Sequence, residues 1–281
     1  MEIYFTKLHG NGNDFILINE LQGTVIPDDM KPVFARLYCD RRYGIGADGV
    51  LFLSGSATSL FKMRLFQPDE SEAEMCGNGI RCLGRYIYDA NLAKDFCTVE
   101  TPAGEITMEM KGTGEGGFSA VVSMPTPRFD RADIPAEGEG EYKESIADYE
   151  VYAVSVGVPH AVVFVDEIAH IPLDEVAPII RRHHSFPEGA NVNFVEIAGE
   201  NELRIRTFER GIEGETLSCG TGATASAAVA HHLAEQGMAA MAPIGTTVEV
   251  HTPGGPLTIY LDEETKMEGP AVSVFTGVIT F

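Results

Sequence analysis

Two four-residue motifs with the same spacing, Cys76-Gly77-Asn78-Gly79 and Cys219-Gly220-Thr221-Gly222, are where this sequence could do chemistry. Cysteine is often only a small buried residue, and one copy alone would admit that reading. Two copies in matched settings point to use of the sulfur. The glycines permit a tight turn into a helix and close approach of a ligand to the backbone. The first turn of a helix carries unpaired N–H groups and the positive end of the helix dipole, which stabilise a thiolate and bind a carboxylate. If the two halves of the chain face each other, a thiolate can lift an α-proton from one face of a substrate carbon while a thiol returns one to the other. That inverts a stereocentre by general acid–base catalysis. The carbanion is stabilised where its carboxylate meets the helix N-termini. Such a site needs no pyridoxal phosphate, and no lysine stands in a comparable motif, so no cofactor is expected.

The elements that must hold these motifs recur in order. Lys62-Met63-Arg64-Leu65-Phe66 leads to the first cysteine, and Arg204-Ile205-Arg206-Thr207-Phe208 leads to the second. Thr101-Pro102-Ala103-Gly104 follows the first motif and Thr252-Pro253-Gly254-Gly255 the second. Matches in one order predict a duplicated domain. Pro125 to Glu144, rich in proline and acid, reads as the linker. Strand-like runs are Ile16 to Ile18, Val50 to Leu53, Val121-Val122, Ala161 to Val165 and Val248 to Val250. Gly79 to Leu92 is predicted helical, with Ile80, Leu83 and Ile87 on one side. Thr221 to Gln236 is predicted helical too, stopped by Gly237. This second helix is small and apolar all round, as a buried helix is. The expected class is therefore α+β: two pseudo-symmetric halves, each a mainly antiparallel sheet wrapped around a central helix.

Other motifs carry less. Cys39, Cys82 and Cys97 lack any such setting, and no Cys-x-x-Cys spacing suggests zinc. His183-His184 and His231-His232 are adjacent pairs whose side chains diverge on a helix, so they read as surface or packing residues. Gly44-Ile45-Gly46-Ala47-Asp48-Gly49 matches a dinucleotide fingerprint by letters only. It follows a predicted helix at Pro32 to Tyr43 and precedes a strand, the reverse of the required order. It reads as a glycine turn. His9 to Phe15 reads as a turn between strands. Arg210, in Glu209-Arg210-Gly211, can grip a carboxylate with two parallel hydrogen bonds. His160, in Gly157-Val158-Pro159-His160, could place an imidazole near a thiol.

The formal net charge of −22 argues against nucleic acid or an anionic membrane as partner. No apolar run is long enough to cross a membrane, and Met1 to Phe5 lacks the pattern of a signal peptide. An odd set of five cysteines without a disulfide framework fits a reducing cytoplasm.

On the stretches His9 to Phe15, Gly44 to Gly49, Phe66 to Cys82, Gly157 to Val163, Pro187 to Phe194 and Arg206 to Ala223, the sequence resembles diaminopimelate epimerases. The resemblance implies two similar domains with the active site between them, here 1–124 and 125–270, with 271–281 returning to the first. It implies that Cys76 and Cys219 are the acid–base pair. Gly77, Asn78, Gly220 and Thr221 would bind the reacting carboxylate and its amino group. Asn13 and Asn191 match substrate-binding asparagines. Glu209 and Arg210 match a pair that contacts substrate, Arg210 taking the distal carboxylate. His160 and Glu209 match residues that tune the thiols. Gln67 and Val158 stand where the family often has asparagine, at the end that grips the distal group, and Glu70 replaces a usual glycine. The implied reaction is interconversion of LL- and meso-2,6-diaminopimelate, for lysine and peptidoglycan precursors. The implied partners are a diamino dicarboxylic acid and a second copy of the chain in a homodimer. The rivals are a two-thiol racemase of proline, hydroxyproline or histidine, and a redox or acyl-transfer thiol protein, which would need a resolving cysteine or an oriented Cys-His pair.

Overall fold

A computed structural model describes residues 2–114, 116–237 and 243–281. Of Met1 to Phe5, Met1 lies outside the described residues. The chain divides into two compact units, Met1–Ser123 with Glu268–Phe281, and Met124–Met267.

The first unit begins with a hairpin, β1 (Glu2–Gly10) and β2 (Asn13–Asn19). Asn11 and Gly12 turn it with φ of 51° and 84°, the left-handed pair that matches the twist of the strands. Then come α1 (Lys31–Tyr38), β3 (Gly49–Ser54), β4 (Phe61–Phe66), β5 (Glu72–Ala73), α2 (Gly77–Asp89), β6 (Phe96–Thr101), β7 (Gly104–Thr113) and β8 (Gly117–Ser123). The second unit holds β9 (Lys143–Ile146), β10 (Tyr149–Ser155), β11 (Pro159–Phe164), α3 (Leu173–Arg181), β12 (Asn191–Gly199), β13 (Glu202–Glu209), β14 (Gly214–Thr216), α4 (Gly220–Glu235), β15 (Thr247–Thr252) and β16 (Gly255–Leu261), and β17 (Thr265–Pro270) runs from the second unit into the first, which resumes at Glu268. The last strand, β18 (Val272–Thr280), pairs antiparallel with β1.

The units repeat one topology. β1–β2 is antiparallel, β2–β3 parallel, β3–β4 antiparallel and β4–β6 parallel. β10–β11, β11–β12, β12–β13 and β13–β15 follow the same sequence of senses. Alternation along each strand splits the core in two. Ile16 and Ile18 of β2 and Val50 and Phe52 of β3 pack with Phe34 of α1. Ala161 and Val163 of β11 and Val192 and Phe194 of β12 pack with Ala177 and Ile180 of α3. On the other face Leu51 points toward Gly79 of α2. α2 touches β1–β4, β7, β8 and β18, and α4 touches β10–β13, β15 and β16. Each sheet thus wraps one central helix, and the class is α+β with mixed sheets. The run of alanines from Ala223 to Ala230 is buried, because strands enclose α4 on all sides.

Several boundaries differ from the sequence reading. α2 starts at Gly77, not Gly79, and ends before Asn91, whose φ of 54° breaks the helix. α4 starts at Gly220, and Gly237 with φ 75° follows its end. α1 stops at Tyr38 rather than Tyr43, because Asp40 Oδ1 accepts from the N–H groups of Arg42 and Tyr43 at 2.7 Å each and turns the chain. The Pro125 to Glu144 stretch is not a bare linker. Ile134 and Tyr142 are core residues of the second unit. Arg131 organises the stretch, donating to Glu137 O at 2.6 Å and Glu144 at 2.9 Å while lying over the Tyr142 ring. His183 and His184 are not helical. Their rings lie against each other, centroids 4.2 Å apart.

Candidate active site

Cys76 and Cys219 are the N-caps of the two central helices. Both have extended backbone, and each Sγ accepts from the N–H three residues on, Gly79 N at 3.4 Å and Gly222 N at 3.3 Å. The sulfur fills the place of the usual serine or aspartate oxygen at a helix start. An N–H donor aimed at sulfur favours its thiolate. The other thiols are set apart by burial, which pushes Cys39 up to about 12 and Cys97 up to about 11 and raises Cys82 further. Thiols held protonated in this way are inert.

In the first unit, Asn13, Gly77, Asn78 and Cys76 converge. Asn13 Oδ1 accepts from Asn78 Nδ2 at 3.1 Å and from Cys76 Sγ at 3.7 Å. Asn78 is backed by Arg81, a wholly buried cation on the next turn. Arg81 donates to Asn78 Oδ1 at 2.8 Å, Asn11 Oδ1 at 2.9 Å, Gly77 O at 3.2 Å and Pro270 O at 3.3 Å. Gln67 is exposed and folds back on its own turn, accepting from Ser71 Oγ at 3.1 Å.

In the second unit, Gly220 and Thr221 open α4, and Thr221 Oγ1 lies 3.4 Å from Cys219 Sγ. Gly222 is obligatory in its motif: a methyl group there would sit 2.5 Å from Asn193 Oδ1. Asn193 belongs to a buried chain. Thr207 Oγ1 donates to Asn193 Oδ1 at 3.0 Å, and Asn193 Nδ2 donates to Ala161 O at 3.0 Å and faces His160 Nδ1 at 3.1 Å. The Ala161 carbonyl can only accept, which fixes the amide and makes His160 Nδ1 an acceptor. His160 is therefore a neutral imidazole, and burial, reinforced by Arg210, holds its pKa down at about 3. Its Nε2 is buried without a hydrogen-bond partner among the described residues. What His160 offers its buried surroundings is a fixed dipole, not a charge.

Asn191 ties a neighbouring corner: its Nδ2 donates to Pro159 O at 3.3 Å, and its Oδ1 accepts from Arg210 N at 2.8 Å. Arg210 Nη1 donates to Glu188 O at 3.2 Å and Gly189 O at 3.3 Å, which orients the guanidinium. Glu209 accepts from the Thr216 hydroxyl. Val158 lies in the turn between β10 and β11, its carbonyl accepting from Val156 N at 3.2 Å. Sequence reasoning missed Arg81, Asp48, Asn193 and Thr207. Asn191 and Asn193, two apart on one strand, share a face, and that spacing was the available signal.

The His160 shift carries a stability prediction. Its folded pKa lies below the ordinary 6.5, so the unfolded chain binds the extra proton and stability falls as pH drops from 6.5 toward 3. Urea unfolding at pH 6.5 and pH 5 should show wild type losing about 2 kcal/mol more than His160→Gln over that interval. Parallel losses in the two proteins would contradict a buried neutral imidazole.

The fold is shared by solved structures of low identity. A PhzF-family phenazine biosynthesis protein from Bacillus anthracis superposes with a TM-score of 0.70 at 16% identity, covering 100% of both chains. A hydroxyproline epimerase from Agrobacterium vitis gives 0.63 at 16%, covering 99% of this chain and 91% of that one. At this distance they define a class by fold alone, the two-unit α+β fold, and no activity. The particular family follows from sequence. The diaminopimelate epimerase family model matches residues 5–129 and 152–279. Diaminopimelate epimerases of Methanothrix thermoacetophila and Archaeoglobus fulgidus are 53% and 44% identical, each over 99% of this chain and 96% and 97% of theirs. The chain belongs to the diaminopimelate epimerase family and is an isomerase.

Proposed function

We propose that this chain interconverts LL- and meso-2,6-diaminopimelate without pyridoxal phosphate, with Cys76 and Cys219 as the acid–base pair. The observation that carries the reading is the matched capping of two helices by two thiols. Each sulfur meets a helix N-terminus where backbone N–H groups favour a thiolate and can hold a carboxylate. One thiol takes the α-proton and the other returns one. Gly77, Asn78, Gly220 and Thr221 bind the reacting end. Arg210, steadied by the 188–191 corner, takes the distal carboxylate, with Gln67, Val158, Asn13, Asn191 and Glu209 completing the substrate contacts. His160 and Glu209 tune the thiols. The catalytic halves are taken as 1–124 with 271–281, and 125–270. The protein serves lysine and peptidoglycan-precursor synthesis in the cytoplasm, as a homodimer, and the names borne by its relatives support that substrate.

The test is turnover in deuterium oxide with separate LL-diaminopimelate, meso-diaminopimelate, proline, hydroxyproline and histidine. Deuterium should enter at the α-carbon of diaminopimelate as the diastereomers equilibrate. Label entering proline or histidine, with diaminopimelate untouched, would overturn the assignment. Arg210→Lys should lower kcat/KM for diaminopimelate by about 100-fold, since a point charge does not replace a bidentate fork. An unchanged kcat/KM would remove Arg210 from the substrate.

A further inference from the structure

The glycine turn at Gly44 to Gly49 ends in a carboxylate with a specific target. Gly46 adopts φ 79°, and a methyl group at Gly44 would sit 2.6 Å from the carbonyl oxygens of Leu37 and Tyr38. The turn therefore packs tightly onto the end of α1 and delivers Asp48 beside β2. Asp48 N donates to Asp14 O at 2.8 Å, and Asp48 Oδ2 accepts from Asp14 N at 3.2 Å. Arg41 Nη2 donates to Asp48 Oδ1 at 2.7 Å and to Asp14 Oδ1 at 2.6 Å. Held on both sides, Asp48 Oδ2 accepts from Asn13 Nδ2 at 2.7 Å.

That contact, together with Asn78 Nδ2, which Arg81 turns toward Asn13, decides which way the Asn13 amide faces. A carboxylate only accepts, so the NH2 end must turn to Asp48 and the carbonyl end to the other side. The other side is Asn78 Nδ2 at 3.1 Å and Cys76 Sγ at 3.7 Å. A carbonyl oxygen accepts from a thiol S–H and repels a thiolate, so it favours the protonated form. We propose that Asp48 is a positioning residue that locks the Asn13 amide with its oxygen on Cys76, and so holds Cys76 as a proton-loaded thiol. The idea rests on the reading of Cys76 as one of two acid–base thiols and assigns it the acid's state at rest. Charged and titratable groups around the Cys76–Asn13–Asp48 cluster include Lys7 on β1, Asp14 on β2, Arg41 and Asp48 after α1, and Arg81 and Cys82 on α2. Burial pushes the Asp14 carboxyl up, but Arg41 and Lys7 outweigh it and hold it at about 2, so the Arg41 clamp persists across neutral pH.

The readout is the pH profile of Cys76 alkylation by iodoacetamide in the full chain, followed by peptide mass spectrometry with Cys219 as internal reference. In Asp48→Asn the Asn13 amide loses its carboxylate acceptor and is held by Asn78 Nδ2 alone, so its oxygen is less firmly fixed on sulfur and the Cys76 midpoint should fall by up to about one pH unit. A purely electrostatic role for the Asp48 charge predicts the same fall. Asn13→Ala separates the two. It should lower the midpoint by itself, and adding Asp48→Asn to it should then change nothing more. A field effect would persist in the double variant, and that additivity would overturn the proposal. So would an unchanged Cys76 profile in Asn13→Ala, a result that stands even if Asp48→Asn does not fold, or an equal shift at Cys219. Alkylation needs no substrate, so failure here leaves the epimerase reading intact, and failure of the deuterium test removes the acid's role from Cys76 without changing its alkylation profile.

Discussion

Replacing Cys76 or Cys219 by serine is expected to cut epimerisation by about 1,000-fold or more, the scale of losing one positioned acid or base. Serine is the informative choice because both positions are helix caps. Each sulfur accepts the N–H of the third helical residue, a bond that serine makes at least as well, whereas alanine would cost about 1 kcal/mol of helix stability. Fold and helix start survive, and what disappears is a group that can exchange a proton near neutrality. The two losses should differ in one respect. A lone remaining thiol can still lift the proton from its own face and return solvent deuterium to that face. Cys76→Ser and Cys219→Ser should therefore each allow slow label uptake without inversion, on opposite diastereomers. Diastereomer-resolved mass spectrometry in deuterium oxide reads this directly. Full inversion in either variant, or uptake into the same diastereomer in both, would end the two-thiol scheme.

What could be read from the sequence was local or periodic. The Cys-Gly-x-Gly motifs, the buried alanine helix and the ordered repeat all lie within short windows, and the repeated strand senses agree with that repeat. The parts that escaped are set by distant partners. Arg81 looks like one more polar residue on a helix, yet its Nε donates to Pro270 O, 189 positions away. Asp48 sits in letters resembling a nucleotide loop, and only the fold reveals that it faces Asn13. Asn193 and Thr207 read as ordinary strand residues until α4 closes over them through Gly222. The 125–144 stretch has a linker's composition, yet Arg131 and Tyr142 make it part of a core. The helices begin directly after their cysteines, because the thiol takes the capping place that serine or aspartate usually fills, and composition alone does not signal that.

Arg81→Met should be the most destabilising single change in the first unit, lowering stability by about 3–5 kcal/mol in urea unfolding followed by circular dichroism. Burial draws the guanidinium down to about 10, which still leaves it charged at neutral pH. Methionine fits the volume and removes the fork. Gly77 O, Pro270 O, Asn11 Oδ1 and Asn78 Oδ1 then each lose a charged donor, and a hydrogen bond to a charged group contributes about 1.5–3 kcal/mol. These four acceptors belong to the start of α2, the β1–β2 turn and the strand before β18, so one side chain joins three segments. Gly10 shows how close the joint is: a methyl group there would sit 3.3 Å from Arg81 Nη2 and 3.2 Å from Asn78 O. Arg81→Lys keeps the charge but cannot serve four acceptors from one ammonium, so it should fall between wild type and Arg81→Met. Because Asn78 and Asn11 lose their anchor together, the variant should also speed Cys76 alkylation while leaving Cys219 unchanged. Stability within about 1 kcal/mol of wild type in Arg81→Met would mean that the neighbouring groups find other partners and that Arg81 is not the joint of this unit.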